Sequence, residues 1–200
     1  DRCLESLYYF YWARNWFHEG ERALEQAESV VVNEEAKGDL LSARIWTRQA
    51  EFDCWLARYE EAETRLAKSI DVCRTSRAEG ELALALELLG RIEYLQAQYR
   101  RAAEHFEESL SICRQLGDRR GTAQALNDLA NLTCEWAADY DRARGLYEES
   151  LTVAREIGDQ FGVARGLINL GALAQELGEL GEAKRFYEES LRIYREIDYR

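Results

Sequence analysis

The sequence predicts an all-α protein, an α-solenoid of five helical hairpins with about ten antiparallel helices, and three observations lead to this fold class. The 200 residues contain no proline, the residue that most strongly interrupts helices. The chain repeats itself with a period of 40 or 41 residues. Inside each repeat, apolar residues recur at the three- and four-residue spacing of one helix face.

The repeat appears as aligned columns of identical residues. The string Glu-Glu-Ser-Leu occurs at 107–110, 148–151 and 188–191. One alanine column comprises Ala62, Ala102, Ala143 and Ala183, and a second comprises Ala43, Ala83, Ala123 and Ala164. A serine column comprises Ser69, Ser109, Ser150 and Ser190. These columns, with a more degenerate unit at the start, predict repeats at about 1–34, 35–75, 76–116, 117–157 and 158–200.

The joints between repeats carry helix-ending and helix-starting residues. The chain reads Gly117-Asp118 and Gly158-Asp159 at two of them. Glycine can adopt the left-handed conformation that ends a helix, and aspartate can cap the start of the next. The one extra residue of the longer spacing lies between Cys134 and Tyr140. Because no single hairpin can bury its apolar face, we expect the hairpins to stack as one array over residues 1–200.

Composition excludes several classes of function. The net charge of −12 argues against non-specific binding to nucleic acid or to an anionic membrane. The five cysteines are odd in number and form no Cys-x-x-Cys pair, so we expect no metal, no cofactor and a reduced, cytoplasmic setting. The chain has no methionine, so we expect it to be a piece of a larger protein.

The repeat resembles the tetratricopeptide repeat (TPR). The resemblance is carried by one set of residues in the last repeat: Leu167-x-x-Leu170-Gly171, followed by Gly178, Ala183, Tyr187 and Ser190. Two repeats earlier, Leu86-x-x-Leu89-Gly90 matches the start of the same signature. The period of 40 residues, where about 34 is usual, and the missing closing proline are similar to a longer-helix subclass. That subclass occurs in MalT-like bacterial regulators and signal-transduction ATPases. The resemblance implies a right-handed superhelix that binds proteins or peptides on its concave face.

The resemblance also implies where a ligand would lie. The groove positions are the second, fifth, sixth and ninth of each repeat, twenty places in all. Arginine occupies four of them, against about two expected from its frequency: Arg44, Arg48, Arg91 and Arg165. This excess suggests an acidic partner, and a mixed solvated face is the alternative.

Three of the five asparagines also fall on groove positions, at Asn127, Asn131 and Asn169. Asparagine is a poor residue for a helix interior, because its amide competes for backbone hydrogen bonds. An amide offers two donors and an acceptor, which suits an extended peptide backbone. Alternatively, these amides tie neighbouring helices together.

An aromatic cluster opens the chain, where seven of the ten residues 8–17 are aromatic. We expect Tyr8, Tyr9, Trp12 and Trp16 at one end, and Tyr187 and Tyr194 at the other end, to take part in self-association. Two alternatives remain for the first cluster: a recognition platform, or a face that upstream sequence covers.

Catalysis is not expected. The adjacent glutamates of the Glu-Glu-Ser-Leu strings diverge by about 100° on a helix and cannot converge on one substrate atom. The repeated serines have no histidine base beside them in the sequence. Three hypotheses of function remain: a peptide- or protein-binding scaffold that is the sensor or interaction arm of a bacterial signalling regulator, a small-molecule inducer sensor of a MalT-like regulator, or a module that assembles end to end.

Overall fold

The computed structural model describes residues 2–32 and 40–198. Within these ranges the chain forms ten α-helices, one π-helical turn and no strand, which confirms the all-α prediction. The helices are α1 (Arg2–Trp12), α2 (Phe17–Val32), α3 (Leu40–Trp55), α4 (Tyr59–Ser76), α5 (Glu79–Leu95), α6 (Tyr99–Leu116), α7 (Arg119–Leu132), α8 (Tyr140–Glu156), α9 (Gln160–Glu176) and α10 (Leu180–Asp198). The predicted joint between the first two repeats, at 34/35, lies outside the described residues.

The chain divides into two compact units, Asp1–Ala97 and Gln98–Arg200. In the first unit, each helix from α1 to α5 packs against the next, and α3 also contacts α5. In the second unit, α6 to α10 follow the same pattern, and α7 contacts α9. The division falls within the third predicted repeat, and the grouping of all repeats into one array stays a prediction.

The predicted caps between repeats are confirmed. Gly117 ends α6 with a φ of 69°, and Gly158 follows α8 with a φ of 71°. The side chain of Asp118 accepts a hydrogen bond from the Gly121 amide at 3.0 Å, at the start of α7. Asp159 accepts the equivalent bond from Gly162, also at 3.0 Å, at the start of α9. These bonds satisfy backbone donors that the first turn of a helix leaves free.

The serine column joins the two helices of a hairpin. Three buried serines of the column each donate a hydrogen bond from the hydroxyl to the backbone carbonyl of an alanine in the second alanine column. The pairs are Ser69 to Ala43 at 3.0 Å, Ser150 to Ala123 at 2.7 Å and Ser190 to Ala164 at 2.9 Å. The recurrence of these serines therefore has a structural cause, because small side chains let the helices approach and the hydroxyl bonds across the contact.

The extra residue of the fourth repeat is absorbed by a π-helical turn, Thr133–Ala137. A π-helix bonds residue i to i+5, so it holds one more residue per turn than an α-helix. The turn ends at Ala138, whose φ is 50°. α7 and α8 therefore keep the pairing seen in the other hairpins of the unit despite the insertion.

Candidate binding surface on the first helices

The three asparagines of the groove positions meet in the second unit. Asn127 and Asn131 lie one turn apart on α7, and Asn169 lies on α9. The Asn169 amide nitrogen donates to the Asn127 amide oxygen at 2.8 Å and lies 3.4 Å from that of Asn131. We call these three residues the amide cluster.

A tyrosine on α8, Tyr147, forms a hydrogen bond with one residue of the amide cluster. The Tyr147 hydroxyl donates to the Asn131 amide oxygen at 2.7 Å. Tyr147 is buried in the core of the second unit, and burial raises the pKa of its phenol. The sequence analysis did not single out Tyr147. The signal was its place in a column with Phe106 and Tyr187, of which only the tyrosines carry a hydroxyl.

In each amide of the cluster, either the nitrogen or the oxygen has no hydrogen-bond partner among the described residues. Among the described residues, no group bonds the Asn127 or Asn131 amide nitrogen, or the Asn169 amide oxygen. Asn131 and Asn169 are half-buried, and Asn127 is almost fully buried. Both interpretations of these residues thus have a physical basis: one end of each amide ties helices together, and the unbonded groups of the half-buried Asn131 and Asn169 remain accessible.

Arg165 lies one turn before Asn169 on the same helix. It is half-buried, and its Nε atom is buried without a hydrogen bond. No carboxylate of the described ranges pairs with its guanidinium. On α7, the carboxylate of Asp128 accepts a bond from Gln124 at 2.9 Å. Burying part of an arginine without a partner is unfavourable, so this position is suited to receive an acceptor from outside the unit.

The three groove arginines of the first unit are engaged by the unit's own carboxylates. Arg48 is 7% exposed and pairs with Glu5 at 2.7 Å and Glu81 at 3.3 Å. Burial acts to lower the pKa of Arg48, but Glu81 and Glu5 outweigh it and raise that pKa above its ordinary value.

The other two arginines are more exposed than Arg48 and also paired. Arg44 lies 3.4 Å from the second oxygen of Glu81. Arg91 lies 3.6 Å from Glu87, one turn away on α5. These contacts link α1, α3 and α5, so the charges of the three arginines contribute to the first unit itself.

The aromatic cluster at the start of the chain separates into a buried and an exposed set. Tyr8 is buried, with its ring 5.2 Å from that of Phe52, so it is not a surface residue. The other three predicted residues are exposed, at 55% for Tyr9, 42% for Trp12 and 48% for Trp16. The aromatic cluster therefore contributes both to the core of the first unit and to its surface.

At the other end of the chain, α10 exposes part of its apolar face. Tyr187 is 36% exposed and Leu191 is 50% exposed. Tyr194 is half-buried, with its ring 6.3 Å from that of Phe161. α10 therefore presents exposed apolar side chains beside those that pack in the second unit.

The adjacent glutamates do not form paired acids. The second glutamate of two of the pairs binds an arginine of the preceding repeat: Glu149 lies 2.6 Å from Arg114, and Glu189 lies 3.0 Å from Arg155. All four side chains are substantially exposed, so each contact stabilises the fold by less than about 1 kcal/mol. Within residues 2–32 and 40–198, no three His, Cys, Asp or Glu side chains lie close enough to hold a metal ion.

One buried carboxyl group has an unusual environment. Asp53 is fully buried in the first unit, where burial raises its pKa while ion pairing with Arg65 opposes the rise. A group without solvent exposure cannot contact a substrate directly. The arrangement is explained by the ion pair between α3 and α4.

A search of the described helices for a membrane-spanning segment found none with the required length and apolar character.

Comparison with known families agrees with the sequence pattern. The profile of a family described as tetratricopeptide repeat matches residues 41–115, 81–156 and 121–196. Together these overlapping matches extend from 41 to 196, well over half of the chain. No curated protein sequence matches the chain significantly.

Solved structures of similar fold include three of different origin. BtubC from P. vanneervenii has a TM-score of 0.77 and 20% identity, over 98% of this chain and 80% of its own. The Rap conjugation gene regulator of plasmid pLS20, in complex with the Phr* peptide, has a TM-score of 0.83 and 14% identity, over 94% and 52%. A signal-transduction ATPase with a tetratricopeptide repeat sensor, from Pyrococcus horikoshii, has a TM-score of 0.77 and 18% identity, over 94% and 28%. At these identities the likeness shows the fold alone, which is that of TPR-like solenoid proteins.

Proposed function

The chain belongs to the tetratricopeptide repeat family, and on that premise we propose that it is a non-catalytic scaffold that binds an extended peptide segment of a partner protein. The binding surface consists of the amide cluster and Arg165. The observation that carries the proposal is that the half-buried Asn131 and Asn169 each keep an amide group without a partner among the described residues, and that Arg165, one turn from Asn169, has no carboxylate partner there.

The unpaired groups match the chemistry of a peptide backbone. The amide nitrogen of Asn131 donates to a backbone carbonyl, and the Asn169 amide oxygen accepts from a backbone N–H, while the buried Asn127 holds Asn169 in place. Such bonds do not depend on the side chains of the peptide, so they supply affinity with little sequence preference. The contacts of the cluster with Tyr147 and between α7 and α9 hold the amides in place, which reduces the entropy lost on binding.

Arg165 supplies the selectivity of the surface. The terminal nitrogens of its guanidinium pair with a carboxylate of the bound segment, since no carboxylate of the described residues engages them. The partner segment therefore carries an aspartate, a glutamate or a terminal carboxylate beside its backbone contacts. Arg44, Arg48 and Arg91 are not part of this binding surface, since carboxylates of the first unit already engage them.

The wider role is that of an interaction or sensor arm in a bacterial signalling regulator. The likeness in fold to the ATPase with a tetratricopeptide repeat sensor and to the Rap regulator with its bound Phr* peptide supports this role. In both cases this chain covers only part of the longer protein, 28% and 52% respectively.

The test uses fluorescein-labelled octapeptides, selected from a random library by retention on the wild-type chain. We expect acidic peptides to be enriched. Arg165→Gln should lower their affinity about tenfold, because a charge-assisted hydrogen bond contributes about 1.5–3 kcal/mol. Fluorescence anisotropy measures the affinity, and thermal unfolding checks that each variant remains folded.

Two further variants complete the test. Asn131→Ala should weaken acidic and neutral peptides alike, because it removes a backbone contact. Arg192→Gln is the matched control: Arg192 is an exposed arginine on α10, and its loss should leave peptide affinity unchanged. Equal affinities for the wild type, Arg165→Gln and Asn131→Ala would refute this binding surface.

A further inference from the structure

One face of α9 carries opposite charges at its two ends. Arg165 and Asn169 lie one turn apart, and Glu176 lies seven residues beyond Asn169 on the same helix. Because an α-helix has 3.6 residues per turn, steps of four and seven residues keep all three side chains on one face. Along the helix, this face therefore presents a cation, then an amide, then a carboxylate.

The negative end of this face also lies beside the end of α7. Cys134 lies in the π-helical turn that follows α7. Burial raises the pKa of its thiol, and the nearby carboxylates of Glu176 and Glu135 raise that pKa further. Glu135 is the repeat equivalent of Glu176, 41 residues earlier. Negative charge is thus concentrated where both first helices of the second unit end.

The backbone adds to the same polarity. α7 and α9 run in the same direction, because α8 lies between them in the chain and packs against both. Their dipoles place partial positive charge at the helix starts, on the Arg165 side, and partial negative charge at the helix ends, on the Glu176 side. The carboxylate between the two sides, Asp128, is 8% exposed and accepts the bond from Gln124, so it belongs to neither end.

Neither end of this face is neutralised within the second unit. No carboxylate of the described residues pairs with the Arg165 guanidinium, and no cation among them pairs with the exposed Glu176. The whole chain has a net charge of −12, so a segment with only acidic residues would be repelled at long range. A segment with both charges avoids this repulsion and is attracted at each end of the face.

We propose that the bound segment carries a cation as well as a carboxylate, with its lysine, arginine or terminal amine at Glu176 and its carboxylate at Arg165. Glu176 follows Arg165 by eleven positions, which is about 16 Å along a helix. An extended chain covers about 3.3 Å per residue, so the two charges of the segment lie about five residues apart. This inference rests on the proposed peptide binding and adds the second charge of the partner and its spacing.

Synthetic peptides test the spacing. Three fluorescein-labelled octapeptides of serine and alanine have uncharged ends and differ only in their charged residues. The spaced peptide has aspartate at its second position and lysine at its seventh, the adjacent peptide has them at its fourth and fifth, and the third peptide has the aspartate alone. Because exposed ion pairs are weak, we expect the spaced peptide to bind the wild type about threefold more tightly than the other two. Fluorescence anisotropy measures the affinities.

Two variants locate the cation. Glu176→Gln should remove the advantage of the spaced peptide and leave the affinity of the aspartate-only peptide unchanged. Glu148→Gln is the matched control: Glu148 is an exposed glutamate of α8, and its loss should leave the advantage intact. Thermal unfolding checks that both variants remain folded.

The outcomes separate this inference from the proposed function. Equal affinity of the wild type for the spaced and adjacent peptides would overturn the inference and leave peptide binding in place. An advantage that survives Glu176→Gln would also overturn the inference. Failure of all three peptides to bind the wild type would overturn both.

Cross-linking tests the direction of the charges. In a Cys3→Ser background, Ile168→Cys places a thiol beside Arg165, and Ala172→Cys places one nearer to Glu176, both at exposed groove positions. The spaced peptide is given a cysteine, activated as a pyridyl disulfide, next to either its lysine or its aspartate. The lysine-side peptide should label the Ala172→Cys variant faster than the Ile168→Cys variant, and the aspartate-side peptide should do the reverse. The same order of labelling with both peptides would contradict the proposed direction.

Discussion

Several helices of this protein are followed by a single residue with a positive φ, which ends the helix. Gly117, Gly158 and Gly178 adopt a positive φ, where glycine has no steric penalty. Ala97 and Arg77 adopt similar angles at equivalent turns, with φ of 59° and 57°. A side chain is disfavoured in this region by about 1 kcal/mol, so the repeat geometry outweighs the local preference at these positions.

Replacing one of these glycines isolates the backbone effect. A Cβ atom added at Gly117 meets no atom within 4 Å, so Gly117→Ala should lower the free energy of unfolding by about 1 kcal/mol through φ alone. Gly145, inside α8, also has open space around its Cβ position and no positive φ. Gly145→Ala should therefore raise the free energy of unfolding by about 0.5–1 kcal/mol. Urea denaturation measures both, and changes of the same sign would contradict this explanation.

The asparagines show how far residue-level prediction extends. Their enrichment at groove positions predicted that Asn127, Asn131 and Asn169 would share a surface, and the structure places them together. Their bonding partners could not be predicted, because the Tyr147 hydroxyl comes from another helix. Arg48 and Arg165 illustrate the same limit. Both occupy groove positions, but only Arg48 has Glu5 and Glu81 beside it.

At the scale of elements, the fourth hairpin accommodates an inserted residue without losing its packing. The π-helical turn Thr133–Ala137 follows directly after α7, so the insertion is confined to the last turn before α8 begins. The sequence predicts the insertion between Cys134 and Tyr140, and the structure shows that it is accommodated by a π-helical turn. The amide cluster therefore stays in register with α9 despite lying next to the turn.

Deleting the inserted residue tests this account. Removal of Ala137, which is exposed, should convert the π-helical turn to the α-helical turn of the other hairpins. We expect the free energy of unfolding to change by less than about 1 kcal/mol.

The matched control removes Leu56 from the second hairpin, which has no spare residue between α3 and α4. That deletion should cost about 3 kcal/mol or more, because it shifts the register of two packed helices. Thermal or urea unfolding of both variants gives the comparison. Equal losses of stability would show that the π-helical turn does not hold a dispensable residue.

At the scale of the whole molecule, charge opposes association and exposed apolar side chains favour it. The net charge of −12 makes two copies repel one another at long range. Ion pairs such as Arg114–Glu149 and Arg155–Glu189 recur between repeats of the second unit and are exposed. They contribute little individually, so burial of apolar surface between helices carries most of the stability.

Salt should therefore favour the self-association that the sequence predicts for the aromatic residues near the two ends. Raising the ionic strength from about 0.02 M to 0.3 M shortens the range of the repulsion to less than about 8 Å and leaves apolar packing in place. We expect the weight-average mass at a given concentration, measured by sedimentation equilibrium, to increase over this range. A decrease would indicate that ion pairs, and not apolar side chains, dominate the association.

The sequence by itself determined the helices, the 40-residue period, the glycine and aspartate caps and the membership of the repeat family. These follow from local spacing and from residues whose conformational preferences act within a few positions. Only the tertiary structure decided which groove residues are satisfied. Arg48 meets Glu5 from 43 residues away, and Asn169 meets Asn127 from 42 residues away, while Arg165 meets no partner among the described residues. Periodicity specifies the face on which a side chain lies, but the group opposite to it depends on how another helix packs.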